Sequence, residues 1–206
     1  MLLLELFKGT GSVGKVFKEN GWDVISLDIE KKTHPDIPKD ILEWDYKSVE
    51  IVPDFIWASP PCNTFSHLSY PRKERDPKTA QPKSDRAKLG TKILYRTLTI
   101  INYFRKKNSK LKYVIENPRG MMRNDKKMQK FTIDEGQDFK PNALRRSTTY
   151  YCNYEDDRTK ATDFFSNFAL NLNQTPCRGK VSVAYIPVCD RYKIPAKLVT
   201  HIYNQI

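Results

Sequence analysis

Histidine and cysteine are scarce in this chain, and they are scattered. Of 206 residues four are cysteine (Cys62, Cys152, Cys177 and Cys189) and three are histidine (His34, His67 and His201). No Cys-x-x-Cys pair is present, so there is no zinc site to read and no metal is expected. The spacing fits no small disulfide framework either, and reduced intracellular thiols are the expectation. Long apolar runs are also missing. Glu5 and Lys8 interrupt the opening Met1–Leu6 stretch too early for a signal peptide, and no other run has membrane-spanning length. A soluble protein with no membrane partner is expected. No Gly-x-x-x-x-Gly-Lys-Ser/Thr pattern occurs, which excludes the phosphate-cradling loop of nucleoside triphosphatases. There is no internal repeat and no low-complexity tail.

What the chain does have is positive charge. Lys and Arg total 36 against 24 acids, a formal net charge of +12, which favours a polyanionic partner, nucleic acid before membrane surface. The charge is concentrated in two places. The stretch 67–90 holds Arg72, Lys73, Arg75, Lys78, Lys83, Arg86 and Lys88 and three prolines, so it reads as one long basic loop. The stretch 119–130 holds Arg119, Arg123, Lys126, Lys127 and Lys130 against Asp125 alone.

At this length one domain over 1–206 with a substantial core is expected. Leu2–Phe7 reads as a buried strand running into a glycine turn, Lys8-Gly9-Thr10-Gly11-Ser12, where Thr10 or Ser12 can cap a helix. Val13, Val16 and Phe17 recur at helical spacing until Gly21, and Trp22–Leu27 forms a second strand ending at Asp28. Strand, glycine turn, helix, strand and acid make the βαβ arrangement that holds a nucleoside, the acid reaching ribose hydroxyls. Asp40-Ile41-Leu42 reads as a short strand end. Asp54–Ala58 is a strand ending in Ser59-Pro60-Pro61-Cys62, and residues 112–116 form another, ending in Glu116-Asn117-Pro118. A helix is expected over 91–106. The stretches 148–152 and 163–167 read as an antiparallel hairpin, and Pro195 opens a closing amphipathic helix. The fold class is therefore α/β, Rossmann-like, with a mostly parallel sheet and an antiparallel hairpin near the C-terminus.

A thiol and a carboxyl at two strand ends stand where open α/β sheets keep their chemistry. In that order and spacing the chain resembles the DNA cytosine-5 methyltransferases, which use S-adenosylmethionine. Phe7-Lys8-Gly9-Thr10-Gly11 is similar to their first cofactor motif, with Ser12 following it. Asp28 stands in place of the ribose-binding acid, and Ile29 in place of a side chain packing on adenine. Asp40-Ile41 resembles the pair that reads the adenine edge. Pro61-Cys62 resembles the nucleophile turn, with Ser59 and Pro60 at the cofactor side, and Glu116-Asn117 resembles the Glu-Asn motif. Tyr192-Lys193-Ile194-Pro195 resembles the closing motif that returns to the cofactor, through Lys193 and Ile194.

The resemblance implies a methyl transfer to carbon-5 of cytosine in DNA through Cys62, with Glu116 at ring nitrogen-3, Asn117 fixing the two turns together, and the base flipped out. Arg72, Lys73, Arg75, Arg119, Arg123, Lys126 and Lys127 are the candidate nucleic-acid contacts. The family's Gln-x-Arg-x-Arg motif has no clean copy; Arg158-Thr159-Lys160 is the nearest, placing Lys160 where an arginine would help hold the base. The stretch 168–190 stands where a target-recognition domain would be, leaving room for a separate recognition subunit. A small enzyme of this kind would suit restriction-modification, a virus or a mobile element. Ser59-Pro60-Pro61 also resembles the turn of amino-methyltransferases acting on adenine N6 or cytosine N4, but Cys62 replaces their aromatic residue. A free cytidine nucleotide as substrate, or a non-catalytic nucleic-acid-binding module, are the remaining alternatives.

Overall fold

The computed structural model describes residues 1–134 and 143–206. Its centre is an eight-stranded sheet in the order β3-β2-β1-β4-β5-β8-β7-β6. The strands are β1 Leu2–Leu6, β2 Asp23–Asp28, β3 Ile37–Pro38, β4 Phe55–Ala58, β5 Lys112–Pro118, β6 Thr132–Asp134, β7 Leu144–Tyr150 and β8 Ala161–Ser166. From β3 to β5 every pairing is parallel; β8 runs antiparallel to both β5 and β7, and β6 pairs parallel to β7. Chain order reverses between β1 and β4, so the crevice at their carboxyl ends is the switch point where such sheets bind ligands.

Both faces of the parallel strands are covered, which is why these strands read as near-continuous apolar runs. Alternation along β1 and β4 sends Leu4, Leu6, Ile56 and Ala58 to one cluster, with Leu94, Ile101 and Phe104 of helix α2 (Asp85–Lys107). It sends Leu3, Phe55 and Trp57 to the other, with Val13 and Phe17 of α1 (Ser12–Glu19) and Leu198 and Ile202 of α5 (Ala196–Tyr203). Phe17 meets Tyr203 edge-on at 5.4 Å, joining α1 to α5. Two short helices, α3 (Lys126–Phe131) and α4 (Val188–Arg191), lie outside this frame. Among the described residues no helix is long and apolar enough to cross a membrane.

Four expectations are corrected. The short strand is Ile37–Pro38, and Asp40 instead opens a turn by accepting a hydrogen bond from the Leu42 amide at 2.9 Å. Helix α2 begins at Asp85 rather than at 91, because Ser84 caps it through the Ala87 amide at 3.1 Å; the basic loop is correspondingly shorter and contains a 3-10 turn, His67–Arg72. Neither Thr10 nor Ser12 caps α1; the cap is Gly11, and the Ser12 hydroxyl is used elsewhere. Cys152 and Cys177 are joined in a disulfide, not held as thiols, with Cα atoms 6.1 Å apart. They lie 25 residues apart in sequence, so no local spacing announces the pair. The turn after β7 brings them together through Asn153, whose amide donates to the carbonyls of Asn173 and Thr175 at 3.1 and 2.9 Å.

Glu5 is the one acid in β1 and is buried at 3 % exposure beneath α1. One carboxyl oxygen, Oε2, has no hydrogen-bond partner, and a Cβ on Gly14 would stand 2.6 Å from it, which accounts for a glycine inside α1. Burial pushes the Glu5 carboxyl up to about 7, against relief from the Gly14 backbone, Lys8 and Lys18. The folded-state value lies above the unfolded one, so this group's stabilisation is full below the unfolded value of 4.5 and is lost as pH rises to about 7. A shift of that size corresponds to about 3 kcal/mol. Thermal unfolding followed from acid to mildly alkaline pH should show this decline in the parent protein, and Glu5→Gln should remove most of it.

Candidate functional site

The turns after β4 and β5 are stitched to one another. Asn117, buried, donates from Nδ2 to the Pro60 carbonyl at 2.9 Å. The Met121 amide donates to the Phe65 carbonyl at 2.6 Å, and Ser66 and Gly120 form an antiparallel bridge. Gly120 is required by close approach: a Cβ there would stand 2.3 Å from the Phe65 carbonyl oxygen. Cys62 and Glu116 are thereby held at neighbouring strand ends.

Glu116 is buried and reaches two partners on the hairpin side. The Tyr151 hydroxyl lies 3.5 Å from Glu116 Oε1 and the Lys160 ammonium 3.9 Å from the same oxygen. Lys160 also donates to the Tyr151 hydroxyl at 3.3 Å and to the Arg191 carbonyl at 3.0 Å. Tyr151 is completely buried, and burial, reinforced by Glu116, holds its phenol far above the usual tyrosine range. It therefore stays a neutral donor. Arg158, which the sequence offers only as part of a poor motif, braces this cluster by ion-pairing with Asp156, with its guanidinium 5.1 Å from the Tyr151 ring. Tyr151 carried no recognisable motif; only its place after a strand, next to tyrosine and cysteine, could have suggested it.

Cys62 is half-buried and lines a cavity of about 500 Å³ with Ser66, His67, Arg72, Arg119, Lys160 and Tyr192. Burial pushes its thiol above the ordinary cysteine value; Lys160 opposes that, and Glu116 adds to it. Lys160 lines the same cavity as Cys62 and lies 3.9 Å from Glu116, so thiol, carboxyl and ammonium share one neighbourhood.

The expected cofactor residues fall in two groups. Thr10, Gly11, Ser12, Lys193 and Ile194 line a second cavity, also about 500 Å³, and the Ile194 amide donates to the Ser12 hydroxyl at 3.2 Å. Phe7, Gly9, Asp28, Ile29, Asp40 and Ile41 do not line it. Asp28 accepts from the amides of Gly9 and Glu30, both at 2.8 Å, and so holds the glycine turn. Phe7, Gly9 and Gly11 take positive φ there, 66°, 51° and 68°. Ile29 is exposed, Ile41 is buried with its carbonyl accepting from Arg96, and Ser59 accepts from the Trp57 indole at 3.1 Å.

The basic residues divide as well. Arg72 and Arg119 line the Cys62 cavity, and Lys73 is exposed beside it in sequence. Arg75 does not face a phosphate: it is buried at 2 % exposure, donates to Thr64, Thr91 and the carbonyls of Ala80 and Ala87, and covers the Phe65 ring at 3.7 Å. Arg123 is paired with Asp163, Nε to Oδ2 at 2.9 Å. Lys126 is exposed on α3, and Lys127 sits 3.8 Å above the Tyr95 ring in a different cavity, on the α2 side.

Comparison with known proteins adds to this. No protein-family model matches the chain. A Frog virus 3 protein described as "Probable DNA (cytosine-5)-methyltransferase" is 37 % identical over 123 residues, 57 % of this chain and 54 % of that protein. The chain is homologous to it over that stretch, and it spans about half the length of that curated relative. Among solved structures, the S. pombe Dnmt2 methyltransferase superposes with a TM-score of 0.52 at 14 % identity, covering 89 % of this chain and 54 % of that one. A mutant of Spodoptera frugiperda DNMT2 gives 0.50 at 13 %, covering 87 % and 56 %. The chain has the methyltransferase fold.

The electrostatics of Cys62 predict its reactivity. Alkylation by iodoacetamide, read at this residue by mass spectrometry, should titrate at a pH above that of an ordinary cysteine thiol such as N-acetylcysteine measured in parallel. Lys160→Met should move the Cys62 midpoint further up, and Glu116→Gln should move it down; unchanged midpoints would separate these groups from the thiol. The burial of Arg75 predicts a different outcome from that of Arg72. Arg75→Ala should destabilise the fold by about 3 kcal/mol through orphaned carbonyls, in chemical denaturation, while Arg72→Ala stays within about 0.5 kcal/mol of the parent.

Proposed function

We propose that the protein transfers a methyl group from S-adenosylmethionine to carbon-5 of cytosine in DNA, through a covalent adduct with Cys62. The observation that carries this reading is the shared neighbourhood of the Cys62 thiol, the Glu116 carboxyl and the Lys160 ammonium at the switch-point end of a methyltransferase fold. The homology to the Frog virus 3 protein supports the same reaction.

Carbon-5 of cytosine is too poor a nucleophile to take a methyl group directly. Addition of a thiolate at carbon-6 makes the ring an enamine, electron-rich at carbon-5, and cysteine suits this because sulfur is soft and leaves again afterwards. Cys62 is therefore the nucleophile. Its raised pKa keeps the resting thiol protonated; as attack begins Lys160 is the charge that favours the thiolate, and the S–H proton passes by way of Glu116 to ring nitrogen-3. Electron density flows toward ring nitrogen-3, where Glu116 hydrogen-bonds or gives a proton, held in place by Tyr151 and Lys160. Asn117 keeps the two turns at fixed separation. After methyl transfer carbon-5 loses its proton to solvent and the sulfur departs. The geometry needs a base outside its stack, so the target is either unpaired or extruded from a duplex.

The residues present fit S-adenosylmethionine. Asp28 uses one acceptor site on the glycine turn, at Gly9, and one on the Glu30 amide, and a carboxylate has about four, leaving some for ribose hydroxyls. Phe7, Gly9, Thr10, Gly11, Ser12, Lys193 and Ile194 would surround the nucleoside, with Ser59 and Pro60 between it and Cys62. When bound, the sulfonium supplies the electrophilic methyl. Arg72, Lys73 and Arg119 would meet phosphates.

The test is to incubate the protein with labelled S-adenosylmethionine and DNA, hydrolyse the product and identify the modified base. 5-Methylcytosine should form, and Cys62→Ala should lower its rate by at least about a thousandfold, as loss of a covalent nucleophile does. N6-methyladenine or N4-methylcytosine surviving in Cys62→Ala would establish an amino-methyltransferase instead. Methylation of deoxycytidylate but not of DNA would replace the polymer with a free nucleotide.

A further inference from the structure

Resting on the reading just given, we infer that the substrate is an unpaired strand, held by aromatic side chains around the Cys62 cavity that stack on bases flanking the target. Nine large apolar side chains are well exposed among the described residues, and six of them belong to the segments that wall this cavity. Leu68 and Tyr70 lie on the 3-10 turn His67–Arg72, and Leu89 is one turn of α2 beyond Arg86, which lines the cavity. Val181, Tyr185 and Tyr192 lie on the opposite segment, which contributes Ser182, Val183 and Arg191 to the lining. Tyr185 is 87 % exposed and Tyr192 51 %, although a tyrosine in a monomeric fold ordinarily covers its ring.

The chemistry of the wall selects among possible occupants. Arg72, Arg86, Arg119, Lys160 and Arg191 line the cavity, and among the described residues no acid is in its lining. The positive field there is felt by His67, whose pKa is lowered by burial and then by Arg119 and Arg123, so the ring stays neutral and packs on Tyr70 at 4.8 Å. Aromatic rings interleaved with cations suit a strand whose base faces and phosphates are both available. A duplex hides its base faces, and reading it needs an element that enters a groove. The segment that stands where a recognition domain would be supplies only a 3-10 turn, Val183–Tyr185, and one helical turn, α4. Tyr192 lines the same cavity as Cys62, while Tyr70 and Tyr185 lie on the segments around it and not among its lining.

Binding is measured by fluorescence anisotropy of the full chain, without cofactor, using a cytosine-containing single-stranded DNA oligonucleotide and its duplex at equal salt. The single strand should bind about tenfold more tightly or better. Tyr185→Ala should weaken single-strand binding about tenfold with the salt slope unchanged, because stacking is lost and no charge is removed. Arg72→Ala should reduce that slope by about one phosphate contact. Tyr185 is exposed, so an unaltered melting curve verifies that its variant folds. Equal or tighter duplex binding, or a Tyr185→Ala variant that binds as the parent does, would overturn the inference. Failure to bind either DNA would overturn it too and leave the apolar rim to a protein partner. Methylation of duplex cytosine without affinity for single strands would sink this inference and spare the reaction; single-strand binding with no methylation would do the opposite.

Discussion

The contact on which the site depends is that of the carboxyl end of β5 and its following turn with the turn after β4, made by backbone and by one buried side-chain amide. Two strand ends that merely neighbour one another in a sheet leave their following loops free to diverge. Here Asn117 Nδ2 binds the Pro60 carbonyl in a buried setting, and the Met121 amide binds the Phe65 carbonyl. Gly120 lets the chains meet at a separation that any side chain would prevent. A buried, satisfied polar contact of this kind specifies one arrangement, because the alternative leaves an amide and a carbonyl unpaired at a cost of about 1–3 kcal/mol each. The separation of Cys62 and Glu116 is therefore set by main-chain contacts and the Asn117 amide.

Around that contact the hairpin β7–β8 does something the parallel strands cannot. Antiparallel pairing of β8 with β5 sets Glu116 opposite Phe164 and brings Lys160, just ahead of β8, back over the carboxyl. Tyr151 arrives from the end of β7 and completes the group from inside the core. The segment beyond the hairpin is tied down by the Cys152–Cys177 disulfide and by Asn153, and the Arg191 carbonyl then receives Lys160. The Lys160 ammonium is thus held by three partners, Glu116, Tyr151 and the Arg191 carbonyl, the last two invisible in any local motif.

Much of this was legible in the sequence, for identifiable reasons. The parallel strands are buried on both faces, so they appear as unbroken apolar runs, and each ends in residues that cannot extend a strand. That is why β1, β2, β4 and β5 and the turns that end them could be found, and why the sequence suggests a bridging role for Asn117. Short-range chemistry in the polar regions was harder. An Asx turn at Asp40 and a serine cap at Ser84 are each decided by one hydrogen bond, and neither disturbs the hydrophobic pattern. Arg75 shows the limit of charge counting most clearly. It lies in a basic stretch and reads as a phosphate contact, yet its guanidinium fits four oxygen acceptors and a ring within its own loop and α2. The disulfide depends on a long return of the chain that no spacing encodes.

The two cavities are joined by very little chain, and that has consequences for how binding at one reaches the other. Tyr192 lines the Cys62 cavity, while the next three residues, Lys193, Ile194 and Pro195, line the cavity beside the glycine turn. The Ile194 amide binds the Ser12 hydroxyl, which explains why Ser12 gives up the capping role its position suggests. On the other side Arg191 carries the carbonyl that holds Lys160. One continuous segment, 191–195, therefore holds the Lys160 ammonium, contributes the Tyr192 ring to the Cys62 cavity and binds the glycine turn. A ligand held by the glycine turn would sit against Ser12, whose hydroxyl binds the Ile194 amide two residues along the chain from Tyr192. Coupling of this kind needs no domain movement, only that the restraint lost on one side is one the other side has to supply.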